Sequence, residues 1–414
     1  VIDQGSDRPQ GMASPSPEAL GFSSSRLARI SRWMRGWVDS GRLPGLLVAI
    51  MRGDSPVWFE TYGYRDVGAG LPLEADTIFR IYSMTKPITS VAALMLYEEG
   101  HFQLDDPVSK FIPAFDRTEV FSEGDVDSFR TEPLASPITV HDLMVHTSGL
   151  SYGFLHEHPV DALYRANGIE FNGGGDSLEE TVERTASMPL LFQPGTRWNY
   201  GVSTDVLGRL VEIWSGMSLD DFFRKRIFDP LQMPDTDFHV PPEKAERLAA
   251  NYLRGSRGDI VLKDSPATSE FLAPPATLSG GGGLVGTAAD YLRFMRMMRS
   301  GGALGDKRLL GRKTMGMMVS NHLPGDLAQM GRSRFSETPL FGIGFGLGVS
   351  VMLDPVRARI IGSVGEYAWG GLASTAFWVD PVEDVLVLLL TQLIPSSAWP
   401  IRRELRTLVY QALI

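Results

Sequence analysis

The sequence predicts an α+β protein in which one antiparallel sheet is built from both chain ends and flanked by helices, with a helical lobe between. Three observations predict it. A helix and a hairpin open the chain, strand-like runs and a helix close it, and helical patterns with Gly/Pro-rich connections fill the span between them.

The opening helix is read from Leu27, Ile30, Trp33, Met34, Trp37 and Val38, which recur at helical spacing after the capping candidates Ser23 to Ser25 and before Gly41. Runs at 46–51 and 57–64 are rich in β-branched, aromatic and aliphatic residues and flank Gly53-Asp54-Ser55-Pro56, which predicts a hairpin. A strand-like run at 77–82 leads into a helix through Ala92, Leu94 and Leu96 to Gly100, with Pro87 in its first turn, where a missing N–H is tolerated.

Toward the other end, strands are expected at 345–353, 357–364, 374–379 and 385–392, separated by turn signals such as Asp354-Pro355 and Asp380-Pro381. A last helix covers 399–413. The α/β sandwich lobe is thus expected over 21–84 and 294–414, with the mainly helical lobe at 85–293 inserted between them. Residues 1–20 are read as an N-terminal extension, with Met12 as the native start. A cleft between two lobes is a favoured place for a small-molecule site, because distant segments converge there.

Composition excludes other classes. With 43% hydrophobic and 21% charged residues the chain is ordinary for a packed enzyme. A net charge of −10 with scattered positive residues argues against nucleic acid, and the longest apolar stretch, at 385–390, is far short of a membrane span. Zero cysteines remove disulfides and thiolate chemistry while leaving the redox compartment open. The first residues lack a secretion signal pattern, so a cytoplasmic location is the expectation. No cofactor or metal is expected, and the sequence does not give the oligomeric state.

Chemistry concentrates at Ser83-Met84-Thr85-Lys86. A serine at a helix start meets unpaired N–H groups and the positive end of the helix dipole, and Lys86 can return to the same face. A serine hydroxyl needs such a base nearby to become a nucleophile. Farther on, Gln193-Pro194-Gly195 opens a turn that carries Tyr200 on a loop before a helix at 204–214. A phenol beside a lysine can serve as general base and acid. Then Trp369-Gly370-Gly371-Leu372 leads toward the strand near Ser374, and paired glycines let a backbone approach a ligand closely. The N–H groups of Ser83 and Leu372 are the expected oxyanion donors.

Ser83-x-x-Lys86, Tyr200 and the Gly-rich strand entry, in this order, resemble the serine β-lactamase and penicillin-binding protein superfamily. The stretches 138–150, 193–195 and 279–284 are similar too, so the resemblance runs from about Gly21 to Leu413. Two departures point to its class C-like carboxylesterases, family VIII, and to their fungal acyltransferase relatives. Val202 stands where a class C β-lactamase has Asn, and Trp369-Gly370-Gly371 stands where it has Lys-Thr-Gly.

The resemblance implies a serine β-lactamase-like fold and a small-molecule ester substrate. It further implies that Ser83 attacks while Tyr200 relays the proton with help from Lys86; the residues alone leave the reverse assignment open. Losing the lysine removes a cation for a substrate carboxylate, and losing the Asn removes an amide partner for an acylamino side chain. Neutral, short-to-medium-chain esters are therefore expected, with weak or no β-lactamase activity. The rival readings are acyl transfer to an alcohol, amide cleavage by a β-lactamase or peptidase, and a catalytically dead binding protein. Tyr82, Val202, Trp369, Gly370 and Gly371 are the expected substrate contacts.

Four other stretches resemble known motifs. Gly149-Leu150-Ser151-Tyr152-Gly153 has the Gly-x-Ser-x-Gly form, but the segment before it reads as helix rather than strand. His156-Glu157-His158 has no further ligand at a metal-binding spacing, and the run 280–283 lacks the Gly-Lys-Ser/Thr of a phosphate loop. Thr287 to Asp290 fits a helix N-terminus.

Overall fold

The hairpin near the start of the chain and the strands near its end pair in one sheet. In the computed structural model, which describes residues 15–171, 175–331, 337 and 340–414, the first part contributes β1 (Gly45–Arg52), β2 (Ser55–Asp66) and β3 (Leu71–Pro72). The last part contributes β4 (Ile343–Phe345), β5 (Ser350–Met352), β6 (Tyr367–Gly370), β7 (Ala376–Asp380) and β8 (Val385–Leu390). Their order is β4-β5-β6-β7-β8-β1-β2-β3, every neighbour antiparallel. The two ends of the chain join where β8 lies against β1, with Ala49 opposite Leu388.

The apolar density of β1 and β8 follows from burial on both faces. Leu47 and Ala49 with Leu388 and Leu390 point into one core; Leu46, Val48 and Ile50 with Val387 and Leu389 point into the other. A strand covered on both sides carries no polar alternation. Five helices supply most of the cover: α1 (Ser24–Asp39), α2 (Thr85–Glu98), α3 (Ser203–Ser215), α4 (Ala288–Arg299) and α5 (Ile401–Tyr410). Leu27, Ile30 and Met34 of α1 pack with Ile401, Leu405 and Val409 of α5 on one face. On the other, Tyr291 of α4 meets Phe377 of β7 at 5.3 Å between ring centres, and α2 packs against α3.

The structure corrects four expectations. The strand expected at 357–364 is absent: Pro355–Ala358 is a helical turn whose N-cap, Asp354, accepts the N–H groups of Val356 and Arg357 at 2.9 and 3.1 Å. Asp-Pro here starts a helix rather than separating strands. The run at 345–353 is split between β4 and β5. The strand at 77–82 shrinks to Phe79–Arg80, paired with Val285–Gly286. Finally, Trp369-Gly370, expected to lead toward the strand near Ser374, is itself the end of a strand, β6, and only the turn after it leads on to β7.

The expected lobe boundary at 293/294 falls inside α4. Of the expected N-terminal extension, residues 1–14, with Met12, lie outside the described residues. Among the described residues no helix is long and apolar enough to cross a membrane.

Candidate active site

Ser83 sits on a single 3-10 turn, Tyr82–Met84, that runs directly into α2. The turn is tied from several sides. Ile81 N–H donates to Leu284 O at 3.1 Å, Met84 N–H to Ile81 O at 3.0 Å, and the Tyr291 hydroxyl to Met84 O at 3.0 Å. Tyr82, just before the serine, holds φ at 43°, a left-handed conformation that costs a tyrosine energy and persists only where the surroundings enforce it. Asn251 Nδ2 donates to the Tyr82 hydroxyl at 2.9 Å, and burial pushes that phenol up to about 12. Ser83 is thereby presented by a rigid junction, as the sequence expects, although α2 itself begins at Thr85.

Lys86 lies one turn further along and is 1% exposed. Its Nζ donates to Gly281 O at 2.6 Å and to the Tyr152 hydroxyl at 3.0 Å, and it stands 4.6 Å from the centre of the Tyr200 ring. The structure therefore joins the expected Lys86 and Tyr200 and adds a second phenol that the sequence did not single out. Burial, reinforced by Asp205 and Tyr200, drives the Tyr152 hydroxyl well above its usual range. The one sequence signal for Tyr152 is its place inside the Gly-x-Ser-x-Gly stretch, directly after Ser151.

Asp205, on α3, is the other group sequence reasoning missed. Its Oδ1 accepts Ser279 Oγ at 2.6 Å and Gly281 N–H at 2.9 Å. Burial raises its carboxyl, while the charge of Lys86 opposes the rise. A Cβ on Gly281 would stand 2.5 Å from Asp205 Oδ2, so glycine is what lets this loop lie against α3 and offer its carbonyl to Lys86. The Gly-rich run 280–283 is thus a close backbone approach.

On the facing side, Trp369, Gly370, Gly371 and Leu372 form the end of β6 and the tight turn after it. Trp369 lies 5.6 Å from the Tyr200 ring and 5.2 Å from Phe345, edge-on to the latter. A Cβ on Gly371 would overlap Ile81 O and Thr375 Oγ1, so the turn packs directly on the backbone that carries Ser83. Tyr82, Ser83, Tyr152, Tyr200, Val202 and the turn line one cavity of about 580 Å³. Lys86 lies just behind its wall.

The rival motifs do not assemble a site. Ser151 is fully buried and donates to Asp161 Oδ1 at 2.6 Å, in an irregular segment with no strand before it. His158 Nδ1 accepts Val160 N–H and caps a helix, and among the described residues no three His, Asp or Glu side chains converge as metal ligands. Thr287 caps α4, as expected.

The Beta-lactamase family model matches residues 30–411. The chain belongs to that family. Within the beta-lactamase family, esterase EstB from Burkholderia gladioli is 31% identical over 420 residues, covering 96% of this chain and 99% of its own. Among solved structures, EstCE1, a hydrolase with promiscuous acyltransferase activity, superposes with a TM-score of 0.79 at 27% identity, covering 93% of this chain and 99% of its own. Simvastatin synthase LovD from Aspergillus terreus gives 0.79 at 25% identity, with 93% and 97% covered. The family VIII resemblance and the α+β fold drawn from the motifs agree with these matches.

Proposed function

We propose that this serine esterase hydrolyses neutral, short-to-medium-chain carboxylic esters through an acyl-enzyme on Ser83. The observation that carries the reading is the placement of Lys86: a solvent-free amine between two phenols, one helical turn from a serine at a helix start. In this reading Ser83 Oγ adds to the ester carbonyl carbon as its proton passes to the Lys86/Tyr200 pair, with Tyr200 as the relay that hands a proton on to Lys86. The carbonyl oxygen becomes an oxyanion bound by the N–H groups of Ser83 and Leu372. Collapse expels the alcohol, which takes the proton, and water then releases the acid by the same steps. Tyr152 stays a phenol, because its environment holds it protonated, and serves to fix Lys86.

Substrate preference is read from the walls. Trp369, Ile169, Phe171, Leu340, Ile343 and Met352 line the cavity with apolar surface suited to neutral chains. Val202 and Trp369 leave no amide and no ammonium where a β-lactam would use them. Rates on p-nitrophenyl acetate, butyrate and octanoate set beside a chromogenic cephalosporin test this. The esters should turn over far faster, and a cephalosporin that matches the best ester would overturn the preference.

A second reading, transfer of the acyl group to an alcohol, is supported by the cavity itself. At about 580 Å³ it has room for an acceptor beside a short acyl chain, and EstCE1 and LovD are named for acyl transfer or synthesis. Adding an acceptor alcohol and measuring new ester against free acid separates the two outcomes.

A further inference from the structure

The peptide between Gly371 and Leu372 carries the N–H assigned above to the oxyanion. A trans peptide is planar and sets its C=O opposite its N–H, so whatever holds the Gly371 oxygen also aims the Leu372 N–H. Arg402, the second residue of α5, is in that place. Its Nη2 donates to Gly371 O at 2.9 Å and to Thr375 O at 2.9 Å. The same two carbonyls close the turn, Gly371 N–H donating to Thr375 O at 2.9 Å and Ser374 N–H to Gly371 O at 3.2 Å. The guanidinium lies so near Gly370 that a Cβ there would stand 2.8 Å from Nη2.

Arg402 is itself held. It is half-buried against the cavity wall, and Glu337 accepts the backbone N–H groups of Arg402 and Arg403 at 3.2 and 3.0 Å, fixing the start of α5. Burial pulls the guanidinium down from its usual range, and Glu337 and Tyr200 oppose that fall. A guanidinium keeps its charge at any physiological pH. Among the described residues, no acceptor takes the Leu372 N–H, so it is available to a ligand in the cavity.

We propose that Arg402 is a positioning residue for the oxyanion hole, fixing and polarising the Gly371–Leu372 peptide through a charge-assisted hydrogen bond to its carbonyl. A donor on the carbonyl draws electron density from the N–H of the same peptide and makes it a better donor in turn. The gain appears only when negative charge develops on the substrate oxygen, so it enters kcat and not ground-state binding. This inference rests on Ser83 being the nucleophile.

The test compares Arg402→Met and Arg402→Lys by p-nitrophenyl butyrate kinetics. Alongside, it measures the affinity of an alkyl trifluoromethyl ketone, whose carbonyl accepts Ser83 Oγ to give a hemiketal oxyanion. Its methyl ketone counterpart, which stays planar, is the control. Arg402→Met should lower kcat by about 10²-fold with KM nearly unchanged, and should weaken the trifluoromethyl ketone by a similar factor while sparing the methyl ketone. Arg402→Lys, which keeps the charge, should fall between Arg402→Met and the parent.

Unchanged kcat in Arg402→Met would overturn the proposal. So would lost turnover with unaltered trifluoromethyl ketone affinity, or equal weakening of both ketones. If Arg402→Met does not fold, Arg402→Lys is judged on the same ratio of the two ketones. Ser83→Ala, run in parallel, separates the failures: an active Ser83→Ala removes Ser83 as the nucleophile and with it the reading this inference rests on, whereas an inactive one beside a fully active Arg402→Met removes the role of Arg402 alone.

Discussion

Single residues of the proposed site divide into groups that react and groups that hold them. Ser83→Ala should lower ester turnover by at least about 10³-fold, and Tyr200→Phe by about 10² to 10⁴, with melting temperatures near that of the parent. Steady-state rates paired with thermal melts check both; a parent-like rate in either variant removes that residue from the mechanism. Tyr152→Phe takes away one of the two acceptors of Lys86 and should cost roughly tenfold or more in kcat. The proposed serine and lysine were legible because Ser-x-x-Lys is local, its two residues one helical turn apart. Tyr152, Asp205 and Arg402 were not, because nothing near them in sequence announces contacts that only the folded chain creates.

Elements were legible where a single period dominates and illegible where a capping residue decides. The terminal helices, the first hairpin and β8 carry clear patterns, and the structure has them where the sequence puts them. The helical turn at Pro355–Ala358 was misread as strand because Asp354 acts as an N-cap, a choice that apolar content does not reveal. Core strands should be intolerant of truncation: Leu388→Ala, fully buried in β8, should cost about 2 to 5 kcal/mol in chemical denaturation.

Helix α4 offers a pH test. Burial pushes Asp290, in its first turn, up to about 6, against hydrogen bonds from Thr236 Oγ1 and Asp235 N–H at 2.8 Å each. A carboxyl that binds its proton more tightly when folded stabilises the fold fully below its unfolded value of about 3.9. That contribution is lost as pH rises through about 6. Between pH 5 and 7.5 the parent should therefore lose melting temperature relative to Asp290→Asn. An identical pH dependence in the two proteins would contradict the assignment.

For the whole molecule, the decisive event is topological. Strand β8 docks on β1, which brings the turn at Gly371 from the end of the chain onto the backbone that carries Ser83 near its beginning, while the middle of the chain supplies Tyr152 and Tyr200. The sequence suggested this convergence through motif order and strand-rich ends, yet not which surfaces would touch. The central claim is that the hydroxyl of Ser83 is the nucleophile in the cavity so formed. Its most direct test is to inactivate the protein with an alkyl phosphonate ester and locate the adduct by peptide mass spectrometry. The account predicts one phosphonyl group on the peptide containing Ser83 and loss of activity in proportion to labelling; an adduct on Ser151, or full inactivation with no serine modified, would contradict it.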